Sequence, residues 1–134
     1  MKIHHLGLVV SDVDEALAAL DLDRSAIVET VYDSEQKNNL HFIRLADNDL
    51  WLELVEPTAA DATTARFAKK FGMGLHHLAM ASDDLEQTER AYSARPSSFV
   101  LGRYAIVVRS FGGSIRTLFI AVKGLILEFV KVER

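Results

Sequence analysis

GLHHLAMASDD, residues 74–84, and IHHLGLVVSDV, residues 3–13, are the two stretches on which the fold turns. Each sets a His-His-Leu at the head of a short apolar run and an acidic cluster behind it. His4, His5, Leu6, Asp12 and Ala19 recur as His76, His77, Leu78, Asp84 and Ala91. The ends of the repeats match as well. Leu50, Leu52, Glu53 and Val55 in LWLELVEP lie over Leu125, Leu127, Glu128 and Val130 in LILEFVKV. Identities at both ends of the unit, in order, mark an internal duplication.

Each repeat reads as β-α-β-β-β. The run 3–10 is short, apolar and partly β-branched, as a strand requires. Ser11 or Asp12 caps a helix over 11–20, with Asp14 and Glu15 in its first turn and Val13, Ala16, Leu17 and Leu20 at helical spacing. Strands follow at 27–33, 40–46 and 50–56, with a turn at Asp47-Asn48-Asp49. Pro57 ends the repeat. An amphipathic helix from about Asp61 to Phe71, stopped by Gly72 and Gly74, connects to the second repeat. There a strand at 74–81 and a helix from Asp83 to Ser93 precede strands at 98–109, 115–122 and 125–132. The expected organisation is one α+β domain over 1–134, with module 1 at about 1–57, a connector at 58–73 and module 2 at 74–134.

Composition narrows the function. The chain has 134 residues, a formal net charge of −4 and no cysteine. Disulfide and thiolate chemistry are excluded, and a nucleic-acid or anionic-membrane partner has no electrostatic support. No apolar run approaches the roughly 20 residues of a membrane span. The apolar run after Lys2 is too short for a signal peptide, so a cytoplasmic location is expected.

Strand parity then isolates four residues. His5, Gly7 and Val9 share one face of their strand, and Leu6, Leu8 and Val10 the other. By the same alternation His77 lies with Ala79 and Ala81, Glu53 with Trp51 and Val55, and Glu128 with Ile126 and Val130. Each strand has one wholly apolar face and one face bearing a single His or Glu. A lone strand histidine is more simply a packed or surface residue, and a lone strand glutamate can face water. At equivalent places in a duplicated unit, His5, Glu53, His77 and Glu128 point to a divalent cation that balances two carboxylates and two imidazoles. His4 and His76 have the opposite parity and read as backing or packing residues. His41 is expected at the surface or a sheet edge.

The carriers HHLGLVVSDVDEAL, WLELVEP, FGMGLHHLAMASDDLE, FGGSIRTLFI and GLILEFVKV resemble the vicinal-oxygen-chelate superfamily, which groups glyoxalases, bleomycin-resistance proteins and dioxygenases. The resemblance covers nearly the whole chain and is nearest the methylmalonyl-CoA epimerase and glyoxalase-like branch. It implies two paired β-α-β-β-β modules forming a cup-shaped sheet with helices outside. The metal ligands it implies are His5, Glu53, His77 and Glu128, the four that parity selects. The metal it implies is Co, Ni, Zn or Mn, with Fe less favoured. It further implies a metal-dependent isomerase or lyase that works through a stabilised enolate on a small acyl or 2-oxo substrate. Glu35, ahead of the third strand, matches an epimerase acid/base position, and Glu128 is the second acid/base candidate. The rival readings are a glyoxalase I-type lyase, an extradiol-type Fe(II) dioxygenase needing only His5, His77 and Glu128, and a metal-free small-molecule binder. The chain lacks the D-P-D-G approach of glyoxalases and the aromatic F-Y-x-x-x-L-G stretch after the first helix, and residues 95–110 match no subgroup. Arg109 and Arg116 are cations that meet either solvent or an anionic substrate group. A homodimer is implied, with FVLGRYAIVV (99–108) as either its contact or a core strand.

Overall fold

The computed structural model describes residues 1–45 and 50–133. Its elements run β1 (Ile3–Val10), α1 (Val13–Ala19), β2 (Ile27–Asp33), β3 (Asn38–Arg44), β4 (Trp51–Pro57), α2 (Ala65–Phe71), β5 (Met73–Ala81), α3 (Leu85–Ser93), β6 (Ser98–Val108), β7 (Gly113–Val122) and β8 (Leu125–Val132). The class is α+β, and the order is two β-α-β-β-β modules joined by α2. The expected turn at Asp47-Asn48-Asp49 lies outside the described residues. The chain divides into two compact units, Leu6–His76 and Met1–His5 with His77–Arg134, so the division runs through β1 and β5.

In the unit Leu6–His76, β2, β3 and β4 pair antiparallel, with Asp33 opposite Asn38 and Phe42 opposite Glu53. The helix α1 starts where Asp12 accepts a hydrogen bond from the Glu15 N–H at 3.0 Å, which satisfies one of the orphan amides of its first turn. Its apolar stripe, Val13, Ala16 and Leu17, packs on Val10, Ile43 and Leu54, with Leu8 and Leu52 beside them. These are the strand residues that alternation assigned to the helix side, which sends Glu53 to the opposite face. Strand β3 begins two residues earlier than expected. The reason is the tight turn from Asp33 to Asn38, held by Asp33, whose Oδ1 accepts the Glu35 and Gln36 N–H groups at 3.0 and 3.2 Å. The connector is pinned to that turn. Thr64 Oγ1 donates to Asn38 Oδ1 at 2.8 Å, and Asn38 Nδ2 donates to Thr63 Oγ1 at 3.1 Å. Thr63 and Thr64 are spent on these bonds, and α2 starts only at Ala65. A helical turn at Arg24–Ala26 precedes β2 and has no strong sequence signal.

His41 corrects an expectation. It is 5% exposed, not at the surface. Its Nδ1 lies 3.0 Å from Thr30 Oγ1 and its Nε2 3.3 Å from Glu56 Oε1. The other oxygen of Glu56 accepts the Val13 N–H at 3.0 Å. One carboxylate therefore joins β3 to the start of α1.

In the unit holding Met1–His5 and His77–Arg134, the strand order is β5-β8-β7-β6. The first pair is parallel, with Ala79 beside Glu128. The next two are antiparallel, with Phe119 opposite Glu128 and Tyr104 opposite Thr117. Asp84 caps α3 by accepting the Gln87 N–H at 3.0 Å, the same device as Asp12. Leu85 of that helix packs on Met80, Leu118, Ile120, Leu127 and Phe129. Those side chains take one face of the strands and leave the alternate residues on the other.

The Glu56 bridge sets a stability test. Glu56→Ala strands the buried His41 ring and the Val13 amide, so a loss of about 1–3 kcal/mol is expected. Urea unfolding followed by circular dichroism measures it. A variant as stable as the parent would show that His41 is held by packing alone.

Candidate metal centre

Three of the four residues selected by parity meet within one unit. His5 from β1, His77 from β5 and Glu128 from β8 are 1%, 7% and 5% exposed. His5 Nε2 lies 3.2 Å from His77 Nε2 and 2.9 Å from Glu128 Oε1. His77 Nε2 lies 3.1 Å from the same oxygen. The local reason is alternation. Leu127 and Phe129 go to the α3 core, so Glu128 between them goes to the other face, and Ala79 next to it is too small to fill the space.

Near-equal separations of three potential ligand atoms fit one cation. Ligand atoms about 2.1 Å from a metal and at right angles to each other are about 3.0 Å apart. Glu128 Oε1 is buried and accepts no hydrogen bond among the described residues, although both ring nitrogens are near. Ring nitrogens and a carboxylate oxygen gathered this closely are the arrangement of ligand atoms that share one cation. Burial raises the Glu128 carboxyl, but the adjacent His5 and His77 rings outweigh that and hold it well below the usual carboxylate range. It is therefore an anion ready to ligate. The residues present fit a divalent transition metal with His5, His77 and Glu128 as ligands.

Aromatic rings wall the cluster. Phe111 stacks on His5 with ring centres 5.8 Å apart and meets His4 edge-on at 4.4 Å. It is aimed there by Gly112 and Gly113, whose φ values of 104° and 120° turn the chain sharply into β7. Phe119 sits edge-on to His77 at 5.4 Å, and Tyr104 edge-on to Phe119 at 6.0 Å. A Cβ on Gly102 would lie 2.7 Å from the Tyr104 hydroxyl. Gly102 is thus the absence that lets the Tyr104 ring lie along its own strand. The sequence reading passed over Phe111, Phe119 and Tyr104. Phe119 was recoverable from parity with Thr117 on a strand beside Glu128. The other two depend on a turn and on a glycine whose effect is felt only in three dimensions.

His4 is half-buried. Its Nδ1 is 2.9 Å from His5 Nδ1. Its pKa is lowered to about 4, first by burial and then by His5, so the ring is neutral at neutral pH.

Glu53 belongs to the unit Leu6–His76, on β4, and is 7% exposed. Glu35 belongs to that unit too, exposed in the turn between β2 and β3. His76 packs edge-on to Phe67 at 5.2 Å. Arg116 is committed to Glu86, at 2.9 Å, and to Glu133, which favours the structural reading of that cation. Arg109 opens the helical turn that carries Phe111. No helix among the described residues is long and apolar enough to cross a membrane.

Comparison with known proteins follows the geometry. The family model described as Glyoxalase/Bleomycin resistance protein/Dioxygenase superfamily matches residues 4–109. An uncharacterized protein of Bacillus subtilis (strain 168), YqjC, is 30% identical over 93 residues, which is 69% of this chain, and the match spans 65% of the length of that curated relative. Among solved structures, methylmalonyl-CoA epimerase from Mycobacterium tuberculosis superposes with a TM-score of 0.81 at 20% identity, covering 99% of this chain and 89% of that one. Streptomyces coelicolor methylmalonyl-CoA epimerase in complex with 2-nitronate-propionyl-CoA gives 0.76 at 24% identity, covering 100% and 99%. At these identities the solved structures establish the fold. The family match over residues 4–109, on a chain with two β-α-β-β-β modules, establishes that this protein belongs to the glyoxalase/bleomycin resistance protein/dioxygenase superfamily.

Proposed function

We propose that this protein is a divalent-metal-dependent isomerase of the epimerase kind, which moves a proton on and off the carbon next to an acyl carbonyl. The observation that carries the reading is the buried triangle of His5 Nε2, His77 Nε2 and Glu128 Oε1, with sides of 2.9 to 3.2 Å. Its support is the fold shared with methylmalonyl-CoA epimerases, one of them bound to a coenzyme A thioester analogue. In this reading His5, His77 and Glu128 hold the metal. Glu53, the repeat counterpart of Glu128 and likewise buried on its strand, is the fourth ligand. A divalent cation bound there supplies Lewis-acid stabilisation of the enolate charge that develops on the acyl oxygen as the proton leaves.

The chain's own groups do the rest. Phe119, Tyr104 and Phe111 exclude water from one side of the cluster and strengthen its electrostatics. A carboxylate takes the α-proton from one side of the carbon, and a carboxylic acid returns one on the other. Glu35 is assigned the first task, because its turn is fixed by Asp33, whose Oδ1 accepts the Glu35 N–H at 3.0 Å. Glu128 is the second acid/base candidate, and the engagement of its Oε1 with both imidazoles favours its role as a ligand. The substrate class is a coenzyme A thioester with an acidic α-hydrogen, of which methylmalonyl-CoA is the first to try.

A second reading follows from the same triangle. Two histidines and one carboxylate on one face are also the ligand set of non-haem Fe(II) oxygenases. Tightly held iron and oxygen uptake with a catechol would replace the isomerase by a dioxygenase. The homodimer is proposed to form along β6. This strand ends the order of its unit, pairs with β7, and exposes Phe99, Leu101 and Val107, a long apolar edge that proteins normally cover. Sedimentation should give a dimer that Val107→Lys weakens, and a monomeric parent would discard the assignment.

The isomerase reading predicts about one equivalent of Co, Ni, Zn or Mn in dialysed protein, and its loss in His77→Ala. In deuterated water the loaded protein should exchange the α-hydrogen of methylmalonyl-CoA. Glu35→Gln should keep the metal and slow the exchange by about 100-fold or more. Protein that takes up no metal on titration sinks the mechanism, and unchanged exchange in Glu35→Gln removes Glu35 from it.

A further inference from the structure

The adjacent histidines at the head of β1 carry a function that ligation by His5 does not use up. His5 presents Nε2 to His77 and Glu128, so its remaining ring nitrogen is Nδ1. That atom lies 2.9 Å from Nδ1 of His4. A bond between two imidazole nitrogens holds one proton, which one ring donates and the other accepts. A histidine that ligates through Nε2 carries its proton on Nδ1, and the partner of that N–H sets the tautomer and the ring orientation.

We infer that His4 is a positioning residue for the metal site: its Nδ1 accepts the Nδ1–H of His5 and so keeps the Nε2 lone pair of His5 aimed at the point shared with His77 and Glu128. The inference rests on the metal-binding reading above. Phe111 supports it by clamping both rings, edge-on to His4 at 4.4 Å and stacked on His5 at 5.8 Å. Neither ring can rotate away without losing that contact. The two imidazoles are also nearly perpendicular, at 79°, with centres 5.2 Å apart. That excludes stacking between them and leaves the nitrogen-to-nitrogen bond as their contact.

The inference explains an asymmetry between the repeats. His76 is the counterpart of His4 in sequence, yet its ring packs edge-on to Phe67 at 5.2 Å. By the offset of the repeats, the counterpart of Phe111 is Gln36, which has no aromatic ring. The first His-His therefore pairs a ligand with its orienting base, and the second pairs a ligand with a packing residue.

The test reads the proton and the metal separately. Long-range proton–nitrogen spectra of 15N-labelled, zinc-loaded protein should show His5 protonated at Nδ1 and His4 unprotonated at Nδ1. Zinc affinity, measured by competition with a chelating dye, should fall about 10–100-fold in His4→Phe, which keeps the ring against Phe111 but removes the acceptor. His4→Asn places an amide oxygen close to the position of Nδ1 and should stay within about threefold of the parent. His76→Phe should bind zinc like the parent. Should His4→Phe fail to fold, the parent spectrum and His4→Asn still decide. Undiminished zinc binding in His4→Phe, or a parent spectrum with the proton on His4 Nδ1, overturns the inference and leaves the metal reading intact. A parent that binds no zinc overturns both.

Discussion

Two imidazoles and a carboxylate are buried around one point, and the rest of the second unit is arranged to tolerate that. A charged carboxylate taken out of water costs several kcal/mol even after relaxation, unless a partner of opposite charge is fixed beside it. Among the described residues, no lysine or arginine pairs with Glu128. It has His5 and His77, at 2.9 and 3.1 Å, which together outweigh the burial penalty and hold it ionised. The divalent cation of the proposed function would add to this by neutralising the carboxylate and satisfying both ring lone pairs at once. The apolar face that β5, β7 and β8 turn to α3 is what makes the site affordable. Met80, Leu118, Ile120, Leu127 and Phe129 supply the burial that holds the strands in register while their other face carries polar groups.

The duplication sets which parts are constrained and which are free. Asp12 and Asp84 cap their helices by the same bond to the third backbone N–H, and both histidines with the right parity keep one face of their strands. These are properties of the repeat unit itself. What surrounds the unit differs. Glu56 in the first repeat bridges His41 to α1, whereas Lys131 stands at its place in the second. The first repeat uses a carboxylate to fix its helix. The second fixes α3 through ion pairs on the outer face, Glu89 with Arg103 and Glu86 with Arg116, which are solvent-exposed and contribute little. Geometry that must be precise is therefore carried by packing and by the strand ladder rather than by surface charge.

Much of this was legible because a strand has a period of two. Alternation along four short runs was enough to separate the helix-facing leucines from His5, Glu53, His77 and Glu128. It also gave the module order, because the same pattern restarts after Gly74. What stayed hidden depends on partners far apart in sequence. His41 looked like an edge residue, since nothing in its own strand announces Thr30 or Glu56 as partners. The start of α2 moved from Asp61 to Ala65 because Thr63 and Thr64 bind Asn38, a bond no local propensity encodes. The stretch 95–110, which resembles no subgroup, supplies Tyr104, and Tyr104 takes its place only because Gly102 has no side chain to oppose it.

That last relation bears on specificity. Ligands on strand faces are set by the fold and change little when a wall changes. A wall made of Phe119 and Tyr104 is set by side chains on two neighbouring strands, and a single Cβ at position 102 would move one of them. The buried cluster and the aromatic wall beside it thus answer to different parts of the sequence. His5, His77 and Glu128 sit in the repeated motifs, which carry the family's resemblance. Gly102 and Tyr104 sit in residues 95–110, which match no subgroup, whereas Phe111 opens FGGSIRTLFI, one of the stretches that carry it. Under the proposed function, the same separation ties the reaction class to the repeated motifs and the identity of the acyl group to residues 99–119, of which Phe119 meets His77 edge-on.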